Sequence, residues 1–147
     1  MKFIKHITIA AMFIVSLAFT AMAQNPQADA ASKTAKFGSV KAADASFTGA
    51  IDAHDLKSAA GMVGKTGAFK GTITKLFSPK GGSLVIINFD RDYKTALTAV
   101  VKKSNFAKFP DLSTLEGKKV LITGKFTSFH DATEIDLTDP ADIKIVE

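Results

Sequence analysis

Beyond Gly64, apolar and polar residues alternate with the two-residue period of β-strands, and five segments of this kind can be distinguished. Clusters of glycine, proline, serine and aspartate, which form turns, separate most of them. The predicted strands are Thr66–Phe77, Leu84–Phe89, Thr95–Val101, Lys119–Phe129 and Glu134–Leu137. The pattern therefore predicts an all-β domain.

Glycines inside the predicted strands indicate where the sheet bends. Gly71 lies in the first strand and Gly124 in the fourth. A glycine within a long strand is typical of a bulge or of the sharp bend at a barrel corner. Between the first two strands, the segment Ser78–Gly82 combines proline with two glycines that permit positive φ, which predicts a turn.

Two short helices accompany the strands. Asp52 is expected to cap a helix over Ala53–Ala60, which Gly61 ends. The segment Lys102–Gly117, between the third and fourth strands, is long enough for another short helix before Pro110.

This order of elements fits the OB-fold, a five-stranded Greek-key barrel. We therefore expect such a barrel, with a short N-terminal helix and a short helix between strands three and four. The alternatives are another small β-barrel or a β-sandwich, for which five strands are few.

The N-terminus has the features of a secretory signal peptide. Lys2 and Lys5 precede the mostly apolar run Ile7–Ala21, and Ala21-Met22-Ala23 has the small-x-small pattern of a cleavage site. A membrane anchor needs roughly 20 predominantly apolar residues, and this run is shorter. We expect cleavage after Ala23, with no stable membrane anchor afterwards, and export to the periplasm or outside the cell.

The same reasoning divides the chain into three parts. Residues 1–23 are the signal peptide. Residues 24–50 are rich in alanine, serine, lysine and threonine, lack periodic apolar positions, and are expected to form a flexible leader. Residues 51–147 are the barrel domain. There is no cysteine, so the hydrophobic core must hold the domain together without disulfides.

Charge is unevenly distributed along the chain. The formal charge of +5 falls to +3 once Lys2 and Lys5 are removed with the signal peptide, a small surplus for nucleic-acid binding. Residues 57–125 hold thirteen lysines and arginines against four acids, whereas residues 131–147 hold six acids against Lys144. The distribution leaves two interpretations open, an ordinary mixed surface or a basic face.

Seven short segments together resemble small bacterial OB-fold domains of the nucleic-acid-binding type. They are Met62–Thr66, Phe69–Ile73, Ile87–Tyr93, Phe106–Phe109, Leu115–Lys125, Glu134–Leu137 and Pro140–Ile143. The resemblance covers roughly residues 52–146 and implies an OB barrel that binds single-stranded nucleic acid. Such domains also occur beside nuclease domains related to staphylococcal nuclease.

The turn His130–Thr133 departs from the basic or glycine-containing turn of those domains. A second family, the periplasmic bacterial OB-fold proteins linked to stress tolerance, is similar in its export signal and its closing Glu-Ile-Asp pattern. The alternative function is therefore a periplasmic module that binds a small cationic ligand or a protein partner, which the acidic C-terminal stretch favours. A third hypothesis is an accessory protein that uses the barrel for protein contact.

The sequence contains no catalytic constellation. There is no cysteine nucleophile, and the two histidines after the signal peptide, His54 and His130, each adjoin an aspartate without forming a recognisable triad. Asp90 and Asp92 are two carboxylates in a polar loop, too few for a metal site. We expect a binding module, not an enzyme, with no catalytic residues, metal or cofactor.

A nucleic-acid-binding face needs cations for phosphates and aromatic rings for bases. In OB-folds it is formed by strands two and three and the adjoining loops. The outward-facing polar residues and the accessible rings give the predicted site. It consists of Lys70, Thr72, Asn88, Arg91, Tyr93, Lys125 and Phe129. The expected ligand is single-stranded DNA or RNA.

Overall fold

The predicted strands form one curled sheet in the computed structural model, which describes residues 25–147. The predicted signal peptide, residues 1–23, lies outside the described residues. The strands are β1 Gly38–Val40, β2 Ile51–Asp52, β3 Thr66–Thr72, β4 Lys75–Phe77, β5 Leu84–Asn88, β6 Thr98–Lys102, β7 Lys119–Phe129, β8 Ala132–Leu137 and β9 Ile143–Val146. The α-helices are α1 Pro26–Ala30, α2 Ala45–Thr48 and α3 Leu56–Ala60. Three 3₁₀ helices cover Lys103–Lys108, Leu112–Leu115 and Pro140–Asp142.

The strand pairings explain why the sheet curls. β4, β5 and β6 pair antiparallel in that order, β6 pairs parallel with β8, and β8 pairs antiparallel with β7. β7 also pairs antiparallel with β3, which only Ile73 and Thr74 separate from β4. The sheet therefore wraps around its own core as a mostly β, barrel-like fold. β2 adds to β3, while β9 and β1 extend the sheet beyond β7.

The core is built around phenylalanine rings. Phe69 packs edge-on against Phe89 with ring centroids 5.0 Å apart, and it lies 6.3 Å from the ring of Phe126. All three side chains are buried, and aliphatic residues of β5, β6, β7 and β8 belong to the same core. Edge-to-face packing adds to the stabilisation that burial of the rings provides.

The first predicted strand is interrupted in the structure. The backbone amide of Ile73 donates to the carbonyl of Lys118, whereas the amide of the next residue, Thr74, donates to the carbonyl of Asn88. The chain thus changes partner from β7 to β5 within one residue, and Thr66–Phe77 becomes β3 and β4.

The third strand starts at Thr98, three residues later than predicted. Thr95 is held in a turn, because its single hydroxyl proton is shared between the carboxylate of Asp90 at 2.9 Å and the carbonyl of Asp92 at 2.8 Å.

Residues 25–50 carry more regular structure than the predicted flexible leader. They contain α1, β1 and α2, and a buried glutamine, Gln27, fixes α1 to the barrel. The Gln27 side chain donates to the carbonyls of Phe106 and Pro110 and accepts from the amide of Leu112. The segment shows no periodic apolar signal because separate contacts hold it: the buried Gln27, the isolated apolar side chains of Val40 and Phe47, and the pairing of β1 with β9. The domain boundary at residue 51 stays a prediction.

The predicted N-terminal helix forms, but it is shorter than expected and has a different cap. Asp55 accepts from the amide of Ser58, so α3 begins at Leu56. Asp52 instead belongs to β2, and its carboxylate accepts from the amide of His54.

Gly71 and Gly124 are both required by close packing. A Cβ at Gly71 would lie 2.8 Å from the ring of Phe89 and 2.9 Å from the Cβ of Ala53, although its φ is not positive. Gly124 has a φ of 155° and would place a Cβ 2.7 Å from Ile135. It lies on β7 between the part paired with β9 and the part paired with β8, as expected of a bend.

We predict that Gly71→Ala destabilises the protein by about 1–3 kcal/mol, the usual cost of overpacking a core. Neither Phe89 nor Ala53 is a flexible side-chain end that can move aside. Urea unfolding measures the change. Gly38→Ala is the matched control, because its Cβ would meet only Lys144 at an ordinary 3.7 Å. Equal stability of the two variants would contradict this account of the packing.

Candidate functional site

A row of polar side chains crosses the outer face of three neighbouring strands. Asn88 on β5 pairs with Thr98 on β6, and Thr98 pairs with Glu134 on β8. The residues on either side of Asn88 and Thr98 are buried in the core, as is Ile135 after Glu134, so the alternation of the strands turns these three outward. They form the floor of a cleft of about 900 Å³.

Exposed aromatic rings border the same cleft. Tyr93 and Phe129 are each 60% exposed and Phe77 is 49% exposed. Tyr93 lies in the loop after β5, Phe129 ends β7, and Phe77 ends β4. Leu56 of α3 adds a further exposed apolar side chain. Exposed rings gathered in one concavity are typical of a binding site.

The hairpin between β7 and β8 has a strained tip. His130 and Asp131 both have positive φ, 47° and 64°, which glycine and asparagine adopt more readily. The ring of His130 packs edge-on against Phe129 with centroids 4.2 Å apart. The tip therefore presents two rings to the cleft at a cost in backbone strain.

His54 connects two segments beside the cleft. Its Nδ1 lies 3.2 Å from the carboxylate of Asp52, and its Nε2 lies 3.3 Å from the carboxylate of Asp90. The hydroxyl of Thr95, the amide of Arg91 and His54 hold the pKa of Asp90 below its ordinary value. These contacts fix the start of the loop that carries Arg91 and Tyr93.

The charges that line the cleft cancel formally. Three are basic and three are acidic, with His130 in addition. The basic residues are Lys75, Arg91 and Lys94; the acidic ones are Asp90, Asp131 and Glu134.

Glu134 is the charged residue on the floor of the cleft. Burial, together with the neighbouring carboxylate of Asp136, raises the pKa of Glu134. Within residues 25–147 its carboxylate has neither a hydrogen-bond partner nor an ion-pair partner. Asp136, two residues along β8 and outside the cleft, pairs through Oδ2 with Lys102 at 2.8 Å, while its buried Oδ1 has no partner in this range. Glu134 is thus the floor carboxylate available to a ligand.

The structure brings together four of the seven predicted site residues. Asn88, Arg91, Tyr93 and Phe129 all line the cleft. The amide of Arg91 donates to the carboxylate of Asp90, and its side chain is exposed. Lys94 Nζ lies 5.8 Å from the ring centroid of Tyr93.

The other three lie elsewhere. Lys70 donates to the carbonyls of Phe47 and Thr48 and lies over the ring of Phe47, so it holds α2 against β3. Thr72 borders a separate, shallower depression, and Lys125 is exposed on β7 opposite Thr66. All three side chains point away from the core, as expected. Because the sheet curls, however, outward-facing residues of β3 and β5 point in different directions and do not share one surface.

Several lining residues were not predicted from the sequence. Lys75 and Phe77 were missed because the change of partner at Ile73 and Thr74 shifts the inward-outward alternation by one residue. Glu134 gave a readable signal, since it alternates with the core residues Ile135 and Leu137.

Within residues 25–147, no group of three or more histidine, cysteine, aspartate or glutamate side chains is arranged so that it could hold a metal ion. No helix in this same range has the length and apolar character needed to cross a bilayer.

No family model matches the chain, and neither does any curated protein. Among solved structures, the hypothetical protein YgiW of E. coli is similar at 15% identity and a TM-score of 0.42, over 76% of this chain and 100% of that chain. OBody AM1L10, in a structure bound to hen egg-white lysozyme, is similar at 20% identity and a TM-score of 0.41, over 58% of this chain and 81% of that chain.

We predict that Asp131→Gly stabilises the protein by about 1 kcal/mol, because glycine adopts the left-handed region without the cost that an L-residue incurs. Urea unfolding measures the gain in the free energy of unfolding, provided that the dependence of this free energy on urea concentration is the same in both proteins. Asp131→Ala is the control, since it removes the same carboxylate but keeps a Cβ at positive φ. A similar gain in both variants would show that charge, not backbone strain, limits stability here.

We also predict that Glu134→Gln raises stability at neutral pH. Because folding raises the pKa of Glu134, ionisation opposes folding as pH rises through the folded-state value. Below the ordinary glutamate pKa the group is protonated in both states, so the gain disappears. Thermal unfolding of both proteins across the acid range measures this difference. A gain that grows towards low pH would contradict the prediction.

Proposed function

We propose that the chain is an exported OB-fold binding module that takes a short stretch of single-stranded nucleic acid into the cleft. The strand pairings support this fold: β6 pairs parallel with β8, and β7 pairs antiparallel with both β8 and β3. These pairings are consistent with a five-stranded Greek-key barrel in which β3 and β4 count as one strand. The cleft lies on the outer face of β5 and β6, the equivalents of strands two and three.

The observation that carries this proposal is the group of exposed rings around one cleft. Tyr93, Phe129 and Phe77 come from three different segments, yet they border the same concavity. Every nucleobase has a π-face, so such rings accept unpaired bases in any sequence, and each stacked base contributes roughly 1–3 kcal/mol.

Charge has a secondary part in this proposal. Lys75, Arg91 and Lys94 are positioned at the cleft to contact phosphates, but three acids offset them. Lys70, which was expected to contact phosphate, is occupied by the carbonyls of α2. Stacking therefore supplies most of the affinity, and binding depends less steeply on salt than binding by a basic groove.

Export belongs to the same proposal. The positive start, the apolar run Ile7–Ala21 and the Ala-Met-Ala pattern support cleavage after Ala23 and a location in the periplasm or outside the cell. The molecule would act by binding, without catalysis, either alone or for a separate protein such as a nuclease.

A cationic ligand or a basic protein partner is the second candidate. Glu134 favours it, because an unpaired carboxylate beside aromatic rings also suits an ammonium or guanidinium group.

We predict that Tyr93→Ala weakens the binding of labelled single-stranded oligonucleotides by about 1–3 kcal/mol with little change in salt dependence, because it removes a stacking platform. Fluorescence anisotropy at low and moderate salt measures both quantities. Val63→Ala is the matched control, since Val63 is 41% exposed and does not line the cleft.

The charge contribution is tested with Arg91→Ala against Lys125→Ala. Arg91 lines the cleft and Lys125 does not, so the first variant reduces the salt slope by about one and the second leaves it unchanged. The absence of oligonucleotide binding at low salt would refute the proposed function. In that case, saturable binding of spermidine or a lysine-rich peptide would favour the second candidate.

A further inference from the structure

We propose that Glu134 makes the cleft select guanine over the other bases. This inference rests on the proposed function, and it concerns which base the floor accepts. Stacking on exposed rings does not distinguish bases by their edges. Selection must therefore come from polar groups on the floor, where Asn88, Thr98 and Glu134 lie in one row.

Glu134 is the member of that row best able to discriminate. Thr98 is only 8% exposed, and Asn88 carries both a donor and an acceptor, so it can adapt to several base edges. An ionised carboxylate only accepts hydrogen bonds, through two oxygens. It attracts base edges with adjacent donors and repels edges with acceptors.

Guanine alone among the common bases presents two adjacent donors on its Watson–Crick edge, the N1–H and the N2 amino group. Adenine and cytosine each place a ring-nitrogen acceptor beside their amino group, and thymine and uracil flank their one N–H with two carbonyls. A carboxylate can accept both guanine donors at once, as it does from the paired donors of arginine. The other bases leave one carboxylate oxygen facing an acceptor.

The surroundings of Glu134 keep this carboxylate available. Its neighbour Asp136 is engaged by Lys102 at 2.8 Å, whereas Glu134 has no such partner within the described residues. The side chain is partly buried, and this desolvation raises its pKa. A partly desolvated carboxylate gains more from ligand donors than one fully exposed to water. The free protein therefore bears a cost that a guanine edge would relieve.

The test uses short thymine oligonucleotides with one central guanine, inosine, adenine or cytosine. Inosine retains the N1–H of guanine but lacks the N2 amino group, so it isolates the second hydrogen bond. Anisotropy titrations of the full protein give the ratio of dissociation constants for inosine and guanine. We expect guanine to bind about tenfold more tightly, within the range of a bidentate base contact.

In Glu134→Gln the ratio is expected to fall to within about twofold, since the amide offers one acceptor and one donor. Using the ratio removes any common effect of the variant on folding or stacking. Glu147→Gln is the matched control, because Glu147 is exposed and does not line the cleft. We expect this control variant to bind guanine about tenfold more tightly than inosine, as the unmodified protein does.

Three outcomes overturn the inference and are distinguishable. Equal affinity for guanine and inosine, with stacking-dependent binding intact, refutes guanine selection but leaves the proposed function standing. If the guanine preference persists in Glu134→Gln, a residue other than Glu134 causes it. Failure of all oligonucleotides to bind refutes both proposals together.

Discussion

The contact of Phe69 with Phe89 and Phe126 is the packing on which the rest of the molecule depends. The rings fit because Gly67 and Gly71 have no Cβ: one at Gly71 would lie 2.8 Å from Phe89, and one at Gly67 would lie 3.1 Å from Phe126. The cluster also positions the cleft. Phe89 precedes the loop of Arg91 and Tyr93, and Phe126 lies three residues before Phe129 on β7.

A rigid aromatic core thus supports a cleft that is not optimised for stability. Two non-glycine residues at the hairpin tip adopt positive φ, and a partly buried carboxylate lies on the floor without a partner among the described residues. Features that cost stability are typical of sites shaped by binding. The hairpin tip and the carboxylate of Glu134 lie at the same end of β8, beside the exposed rings. Both destabilising features therefore belong to the surface of the cleft.

Alternation along the strands predicted most of the barrel because burial of one face imposes a period of two. The bounds of β7 were predicted to the residue, Lys119–Phe129, since clear turn signals flank the strand, Gly117 before it and His130–Thr133 after it. The break at Ile73 and Thr74 could not be predicted, because its only mark in side-chain polarity is the adjacent polar pair Thr74 and Lys75, which a bulge would produce as well. The burial of Gln27 was likewise invisible, since a single polar anchor has no periodicity.

The candidate site was predicted in part for a related reason. Pattern identifies which residues face outward, and Asn88, Arg91, Tyr93 and Phe129 share a cleft because the loops at one end of β5, β6 and β8 meet there. Pattern does not identify which outward residues face the same direction on a curled sheet. Lys70 was therefore predicted to bind the ligand, although its ammonium group contacts the end of α2.

The most direct test of the cleft as the binding surface is an NMR titration of the ¹⁵N-labelled protein with a short thymine-rich oligonucleotide. We predict amide shift changes concentrated in residues 88–97 and 129–134, with little change around Lys70 and Lys125. Changes centred on Lys70 or Lys125 would contradict it, as would a spectrum that the oligonucleotide leaves unaltered.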